Sequence, residues 1–423
     1  MQTSSDKLSQ HSKPAPLPGP RELVAMMAAL MALNALAIDT MLPGFQAMRH
    51  GLKITNPNAI QYVISVYLLG MGLGSIIYGP LSDRYGRKAV LLPTIIGYAI
   101  FSFACRLSPS FEFLLTMRLA QGLCGASMGV LVAAIIRDSF AGDKMARHMS
   151  TIFMVFMIVP IIAPSIGALI IKVAPWRSIF DVFTVLAIVL AIWVRQRLPE
   201  TLDPDNVILI APKTIASGWR TVSTHRVSLG YVLAGGAVQG ALFGYLNASE
   251  QLFSVAFNAR AFFPIGFAII ALGIAAANFT NSRIVERFGA RRVSHSALFL
   301  FIAFGALQFL AATYAPASLP LFLTLLTFNM ALIGFLGSNF SSIAMQPFGE
   351  MTGVASSFQQ AVRTVLGAGI GASIGSQFTH SVAPIAIGFS ICGLTSLALV
   401  LWCEKGSLFT RPRTTKLAHI TEH

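Results

Sequence analysis

The feature that most constrains this chain is a succession of long apolar runs. Twelve windows are each long enough to cross about 30 Å of hydrocarbon. They fall at roughly 22–48, 59–81, 89–107, 110–136, 147–172, 178–197, 227–248, 262–283, 293–313, 318–344, 354–378 and 384–403. Because a backbone inside lipid must satisfy its own hydrogen bonds, such runs fold as helices. The sequence therefore predicts an all-α integral membrane protein with twelve transmembrane helices.

Composition supports lipid as the main solvent. Hydrophobic residues make up 55% of the 423 residues and charged residues only 11%, too few for the surface of a water-soluble globule of this length. The formal net charge of +14 would suit a nucleic-acid ligand if the basic residues shared one face, but they lie in short clusters between the apolar runs. We therefore expect the lipid bilayer as a partner and no nucleic acid.

The cysteines and histidines offer no pattern for a metal, a cofactor or enzyme chemistry. Cys105, Cys124, Cys392 and Cys403 lie in or beside apolar runs without metal-ligand spacing, and most of the eight histidines fall in tails and loops. A nucleophile with a neighbouring base does not stand out in the sequence. We expect no metal, no cofactor and no enzymatic activity.

The basic residues are distributed unevenly between the two sides of the predicted spans. Most of the 30 Lys and Arg residues fall in the two tails, in a central linker at 198–226 and in alternate loops. Positively charged loops stay on the cytoplasmic side of a membrane, so this asymmetry predicts that both termini are cytoplasmic. We expect 1–20 and 405–423 to be cytoplasmic tails, the first of them disordered.

A short repeat divides the chain into two related halves. An acid, an arginine, an aromatic residue and a glycine recur in the same order, 203 residues apart, after the second and the eighth run. The two copies are Asp83, Arg84, Tyr85 and Gly86, and Glu286, Arg287, Phe288 and Gly289. A duplicated six-helix unit explains this spacing, and parallel repeats are a known plan of transporters. We predict two pseudo-symmetric six-helix bundles, at 21–197 and 227–404.

The first copy is part of a longer motif, Gly79–Lys88, that resembles the loop signature of the major facilitator superfamily. Gly86 permits a tight turn, while Asp83, Arg84 and Arg87 can form charge-assisted bonds to neighbouring helix ends. The resemblance implies a cytoplasmic gate motif. Its members would be Gly79, Asp83, Arg84, Gly86 and Arg87, with Glu286, Arg287 and Gly289 in the second half. The alternative is a solvated loop whose charges only fix the topology.

An arginine lies inside the fourth predicted span. Arg118, Gln121 and Gly122 resemble the Arg-x-x-Gln-Gly motif of proton-coupled antiporters in the same superfamily. An arginine at membrane depth costs several kcal/mol unless it is paired or hydrated, so it is expected to have a role. Two interpretations remain equally open, and both can hold. The guanidinium either bonds the backbone carbonyls of the first helix or takes part directly in proton relay.

The fifth predicted span carries a motif that bears on the direction of transport. Its segment 163–168 resembles the Gly-Pro-x-x-Gly-Gly motif that separates exporters of this superfamily from importers. Ala163 and Ala168 depart from that pattern, but they are small and keep the spacing between Pro164 and Gly167. With Pro160 one turn earlier, we expect a bent helix. The alternative is that these are ordinary transmembrane prolines and small residues.

A lone carboxylate, Asp39, lies near the end of the first predicted span. Together with Leu42 and Pro43 it matches the Asp-x-x-Leu-Pro segment of drug:proton antiporters similar to the bicyclomycin and chloramphenicol resistance exporters. Burial disfavours the charged form of a carboxylate, so such a group can bind and release one proton per cycle. The resemblance implies that Asp39 and Arg118 couple protons to transport. The alternative is that Asp39 faces water at the outer end of the helix.

Residues in the second half are weaker candidates. Tyr245, Asn247, Asn339 and Arg363 are predicted to contact substrate in a central cavity, although helix packing explains most residues of this kind. Glu250 and Arg363 are each candidates for a substrate or gate charge, and each could instead lie near a helix end and reach water.

The resemblance implies a proton-coupled multidrug efflux antiporter that exports small amphipathic drugs by alternating access. Its expected partners are protons, small-molecule drugs and the lipid bilayer, and we expect a monomer in the bacterial inner membrane. Two alternatives stay open. A proton-coupled importer of a sugar or organic acid would share the fold, and a relative that has lost transport could act as a membrane receptor.

Overall fold

The computed structural model describes residues 18–203, 212–316, 318–348, 352–379 and 381–409. Within these ranges the chain is almost wholly helical and has no β-strand. Its helices are α1 (Pro20–Asp39), α2 (Phe45–Gly51), α3 (Tyr62–Tyr85), α4 (Arg87–Arg106), α5 (Phe111–Ser139), α6 (Gly142–Val173), α7 (Ser178–Arg197), α8 (Pro212–Thr224), α9 (Arg226–Gln251), α10 (Phe263–Phe288), α11 (Ala290–Tyr314), α12 (Leu319–Met345), α13 (Thr352–Ser376) and α14 (Ala383–Cys403). The predicted all-α class is confirmed. Most of both predicted tails lies outside the described residues.

Eleven helical segments in the described ranges are long and apolar enough to cross a membrane. The first of them contains both α1 and α2, and α8 is a short helix in the predicted linker. The predicted span at 354–378 is present as α13, but it is not among these eleven segments. Its polar residues Gln359, Gln360 and Arg363 lower its hydropathy. Because α13 packs mainly against α9 and α3, these polar groups can be satisfied by protein.

Neighbouring contacts show that the long helices alternate in direction. Gln61 at the start of α3 bonds Gln251 at the end of α9. At the start of α9, Tyr231 bonds His295, six residues after Gly289. We call the side of the assembly that carries the turns at Gly86 and Gly289 the Gly86 end, and the opposite side the Asn58 end.

Most packing takes place within each half of the sequence. In residues 18–203, α3 packs against α5, α4 against α5 and α7, and α1 against α6 and α7. In residues 212–409, α9 packs against α12, α13 and α14, while α12 also contacts α10 and α11. The main contacts between these halves are α3 with α13 and α6 with α10.

Glycines allow the closest of these approaches. A Cβ atom on Gly122 of α5 would lie 2.9 Å from the carbonyl carbon of Tyr67 in α3, and one on Gly70 of α3 would lie 2.9 Å from the backbone nitrogen of Leu123. Such distances are too short for real side chains. Gly70 and Gly122 therefore set the spacing of α3 and α5.

Candidate functional site

The Arg118 guanidinium is fully buried where α1, α3 and α5 meet. It donates to Oε1 of Gln121 at 2.7 Å, to the carbonyl of Val63 at 3.1 Å and to the carbonyl of Ala37 at 3.1 Å. Its carbon Cζ also lies 4.2 Å from the centre of the Tyr67 ring. Arg118 therefore bonds a backbone carbonyl of the first helix, as the first of its two interpretations predicts.

A second layer of polar groups surrounds Arg118. Gln121 donates to the Ser102 hydroxyl of α4 at 2.6 Å, while the Tyr67 hydroxyl donates to Oδ1 of Asn34 at 2.7 Å. The Asn34 amide in turn donates to the carbonyl of Gly125 at 2.9 Å. The network thus joins α1, α3, α4 and α5 through short bonds. Sequence reasoning missed Asn34 and Ser102, whose only signal was a polar side chain inside an apolar run.

Asp39 is the last residue of α1 and is only 4% exposed, so it does not face outside water. The described residues provide no ion pair or hydrogen bond to its carboxylate. Arg118 reaches Ala37, two residues earlier, but it does not pair with Asp39. Tyr245 of α9 is also buried, and its hydroxyl has no hydrogen-bond partner among the described residues.

The segment 163–168 of α6 packs directly beside Asp39. A Cβ on Gly167 would lie 2.9 Å from the carbonyl carbon of Thr40, and closer still to its oxygen. Only glycine fits against this backbone. Helix α6 continues through Pro160 and Pro164 without interruption. The structure therefore brings together two motifs that are more than 100 residues apart in the sequence. The first begins at Asp39 and Thr40, and the second contains Gly167.

The turn between α3 and α4 is built on Gly86, whose φ of +103° favours glycine. Next to it, the side chain of Arg87 is buried and forms ion pairs with Asp83 and Asp138, the latter at 2.8 Å. It also donates to the Ser82 hydroxyl at 2.8 Å. Asp83 and Arg87, two members of the predicted gate motif, thus pair with each other, and Asp138 of α5 completes the cluster.

A further carboxylate, Glu200, caps the helix that follows this turn. Its two oxygens accept hydrogen bonds from the backbone N–H groups of Arg87 at 2.6 Å and Lys88 at 3.1 Å. A negative charge at a helix N-terminus is favourable because the first N–H groups point toward it. Two other motif members stay outside the cluster. Arg84 is exposed and lies against Tyr85, and a Cβ on Gly79 would meet nothing within 4 Å.

The turn at Gly289 repeats the backbone conformation with a different set of charges. Gly289 has a φ of +83°, but Glu286 is exposed and forms no ion pair within the described ranges. Arg287 is also exposed and lies against the Phe288 ring. The predicted equivalence of the two loops therefore extends to the glycine and not to the preceding acid.

The ion pair of this second turn joins Arg291 to Glu404 at 2.6 Å. Glu404 also accepts from the Tyr231 hydroxyl at 2.9 Å. It follows the last helix of the second half just as Glu200 follows the last long helix of the first half, 204 residues earlier. This second repeat was available in the sequence and was missed.

At the Asn58 end, hydrogen bonds join the two halves of the chain. The Asn58 amide donates to the carbonyls of Ser376 at 2.8 Å and Phe378 at 2.9 Å, and Gln61 donates to Oε1 of Gln251 at 2.6 Å. These bonds connect the beginning of α3 with the ends of α13 and α9.

Three more bonds between the halves lie at or near this end. Gln251 donates to the carbonyl of Pro57 at 2.9 Å, and Arg260 donates to Oε1 of Gln46 at 2.5 Å. Slightly deeper, Asn247 donates to the Ser65 hydroxyl at 3.0 Å. The predicted substrate contact Asn247 is therefore engaged in holding α9 to α3.

Glu250 is buried at the same end and lines two small cavities of about 190 and 250 Å³. The first cavity also contacts Arg49, and the second contacts Arg260, Lys172 and Pro43. Glu250 is thus an acid enclosed between the halves and close to several cations. It does not lie at a solvated helix end.

The remaining predicted substrate residues belong to the second half. Asn339 donates to Oδ1 of Asn281 at 2.8 Å, within a pair of buried amides. Arg363 is half-buried and donates to the carbonyl of Gly337 at 3.3 Å and to Oε1 of Gln239 at 3.4 Å. Arg363 and Asn339 therefore contact separate sets of polar groups.

Apolar helices that enclose buried charges, with hydrogen bonds between two halves at one end, define a polytopic membrane protein of the transporter class. The family model described as Major Facilitator Superfamily matches residues 24–372. The chain therefore belongs to the Major Facilitator Superfamily, as its motifs indicated; it is a transporter and not an enzyme.

Curated relatives and a solved structure agree with this assignment. The bicyclomycin resistance protein homolog of Haemophilus influenzae is 27% identical over 92% of this chain and 97% of its own length. A chloramphenicol resistance protein of Pseudomonas aeruginosa is 26% identical over 70% of each chain. The crystal structure of a D-xylose-proton symporter aligns with a TM-score of 0.71 and 13% identity, covering 92% of this chain and 99% of the other. That structure shows the shared fold alone.

Proposed function

We propose that this transporter is a proton-coupled multidrug efflux antiporter that exports small amphipathic compounds by alternating access. The observation that carries the proposal is the Asp39 carboxylate, which is buried at the end of α1 without a counter-charge among the described residues. A carboxylate in such a place is stable in its neutral form and unstable in its charged form. Proton binding and release at Asp39 can therefore change the relative stability of two conformations.

The proposed topology has six-helix bundles at 21–197 and 227–404, with both termini in the cytoplasm. The Asn58 end then faces outside, and the hydrogen bonds from Asn58 and Gln61 close it. A Cβ on Gly72 of α3 would lie 2.7 Å from Val365 of α13, whereas one on Gly79, nearer the Gly86 end, would meet nothing within 4 Å. This difference supports a conformation that is open to the cytoplasm in the proposed topology.

The proposed cycle makes proton and drug binding mutually exclusive. In the conformation open to the cytoplasm, a drug enters as Asp39 loses its proton. After the Asn58 end opens, a proton from outside neutralises Asp39 and the drug leaves. Each pH unit across the membrane supplies about 1.4 kcal/mol, and each charge that crosses 100 mV supplies about 2.3 kcal/mol. Arg118 positions the end of α1 through the Ala37 carbonyl.

Direction of transport is proposed from the α6 motif and from the relatives. Two of the relatives are named as resistance proteins, and a resistance transporter acts by export. Gly167 of the exporter-type motif packs on the residue that follows Asp39. Movement of α6 against α1 would therefore directly change the surroundings of the Asp39 carboxylate. We propose the bacterial inner membrane as its location and a monomer as its functional unit.

The test is proton-driven uptake of a panel of fluorescent amphipathic compounds into everted membrane vesicles. Asp39→Asn should abolish gradient-dependent uptake, because the amide keeps the shape of the side chain but binds no proton. Glu112→Gln is the matched control, since it removes an exposed carboxylate at the same end of the molecule. Wild-type uptake by Asp39→Asn, at equal protein level in the membrane, would contradict the proposal.

A further inference from the structure

Arg363 of α13 is a half-buried cation whose partners do not neutralise it. It lies near the middle of its helix, and the described residues give it no carboxylate. Its two hydrogen bonds, to Gly337 at 3.3 Å and Gln239 at 3.4 Å, are longer than the usual 2.7–3.2 Å. A guanidinium has five N–H donors, so most of them have no acceptor among the described residues.

The position of the guanidinium is nevertheless well defined by glycines. A Cβ on Gly235 of α9 would lie 3.0 Å from Nε of Arg363, and a Cβ on Gly337 of α12 would lie 3.6 Å from its Nη2. The side chain thus lies between α9 and α12. These two helices leave the room that a planar group needs, and a side chain at Gly235 would take part of that room.

Arg363 is also directed toward the inside of the protein, not toward lipid. The next two residues of α13, Thr364 and Val365, lie against Gly72 of α3 in the other half of the chain. Arg363 itself contacts α9 and α12 and is only half-buried. The guanidinium therefore lies on the side of α13 that faces α9 and α12, next to the contact of α13 with the other half of the chain.

Neutral amides complete the surroundings of this cation. Gln239 of α9 bonds the guanidinium, and the Asn278 side chain of α10 lies 3.3 Å from a Cβ built on Gly334. Gly334 and Gly337 are three residues apart and share one face of α12. Amide groups can orient a ligand through hydrogen bonds, but they do not balance a positive charge.

We propose that Arg363 is the anion-binding group of the substrate site, and that the preferred substrates carry a carboxylate or a similar planar anionic group beside an apolar body. The proposal rests on the proposed transport function and names the substrate class of its cavity. Arginine suits this task because its fork of N–H donors binds both oxygens of a carboxylate. A ligand carboxylate would supply the negative charge and the acceptors that the protein withholds.

Calorimetric titration of the purified transporter tests the proposed anion binding at Arg363 without any proton gradient. The probes are 1-naphthaleneacetate and 1-naphthaleneacetamide, which share size and apolar ring but differ in charge. Phosphatidylcholine nanodiscs are used so that an anionic lipid head group cannot occupy the site. We expect the wild-type protein to bind the acetate on the order of tenfold more tightly than the amide. Arg363→Gln should lose this preference and keep its affinity for the amide.

Two variants make the test specific. Arg363→Lys should keep part of the preference, because it retains the charge but not the fork, and Arg260→Gln should keep all of it. Equal wild-type affinities, including no measurable binding of either probe, would overturn the proposal, as would an unchanged preference in a folded Arg363→Gln protein. Because no gradient is used, loss of proton-driven uptake with an intact anion preference would contradict the transport mechanism alone.

Discussion

The two arginines buried in the membrane helices show how differently the halves of this protein use polar groups. Arg118 is fully enclosed, and its three hydrogen bonds of 2.7–3.1 Å join helices of one half. Arg363 is only half-buried, and it makes two hydrogen bonds of 3.3 and 3.4 Å to α12 and α9. A saturated cation stabilises a fixed arrangement, whereas an unsaturated one can still bind a ligand. We infer that the first half supplies a rigid frame for Asp39 and the second half supplies substrate contacts.

The largest effect is expected when the two arginines are replaced by the same apolar residue. Arg118→Met removes three hydrogen bonds to buried acceptors, so it should lower the free energy of unfolding by about 3 kcal/mol or more. Arg363→Met loses two long bonds and should cost about 1 kcal/mol or less. Thermal unfolding of both variants in one detergent measures the difference. Equal losses would contradict the division into frame and ligand site.

The next effect concerns the contact between α6 and α1. Gly167→Ala places a methyl group against the Thr40 backbone and should separate the helices beside Asp39, at a cost of about 1–3 kcal/mol. Gly129→Ala is the control, because its Cβ would meet nothing within 4 Å. We expect gradient-driven uptake to fall severalfold in the first variant and to stay unchanged in the second. Similar uptake by both variants would show that this contact does not matter for coupling.

A smaller effect is expected at the Asn58 end, where the halves are joined. Gln61→Leu breaks the 2.6 Å bond to Gln251 and should destabilise the closed arrangement by about 1 kcal/mol. A cysteine placed at Asn58 should then react faster with a membrane-impermeant thiol reagent added outside. The reference is the same cysteine in a protein that retains Gln61. An unchanged rate would mean that this bond does not contribute to closure.

The smallest effects compare the two glycine turns. Asp83→Asn removes one partner of the buried Arg87 and should weaken the cluster by about 1 kcal/mol, with a measurable change in transport rate. Glu286→Gln changes an exposed side chain and should have an effect within about 0.5 kcal/mol. Uptake rates and melting temperatures measured side by side check this order. An effect of Glu286→Gln as large as that of Asp83→Asn, or larger, would contradict the difference between the two loops.

Patterns that are local in the sequence predicted much of this fold. Apolar runs predicted the position of every long helix, including α13. The repeated glycine indicated two turns, which have the same backbone conformation. The motif at Gly79–Lys88 identified the superfamily, which the family model confirms. These features depend on nearby residues or on a fixed offset, so a single sequence contains them.

Contacts between distant segments could not be predicted in the same way. Asp138 and Glu200 complete the cluster at Arg87 from positions 51 and 113 residues further along the chain. The position of Gly167 against Thr40 depends on how α6 packs against the end of α1. Burial of Asp39, and the difference between Arg118 and Arg363, likewise arise only when the helices are assembled.

The central claim is that Asp39 exchanges a proton for the transported compound. It is tested most directly by measuring proton release when the best-exported compound of the panel is added to purified transporter in weakly buffered solution. We predict about one proton released per bound compound for the wild-type protein and none for Asp39→Asn, which should still bind the compound. The same release from Asp39→Asn as from the wild-type protein would contradict the claim.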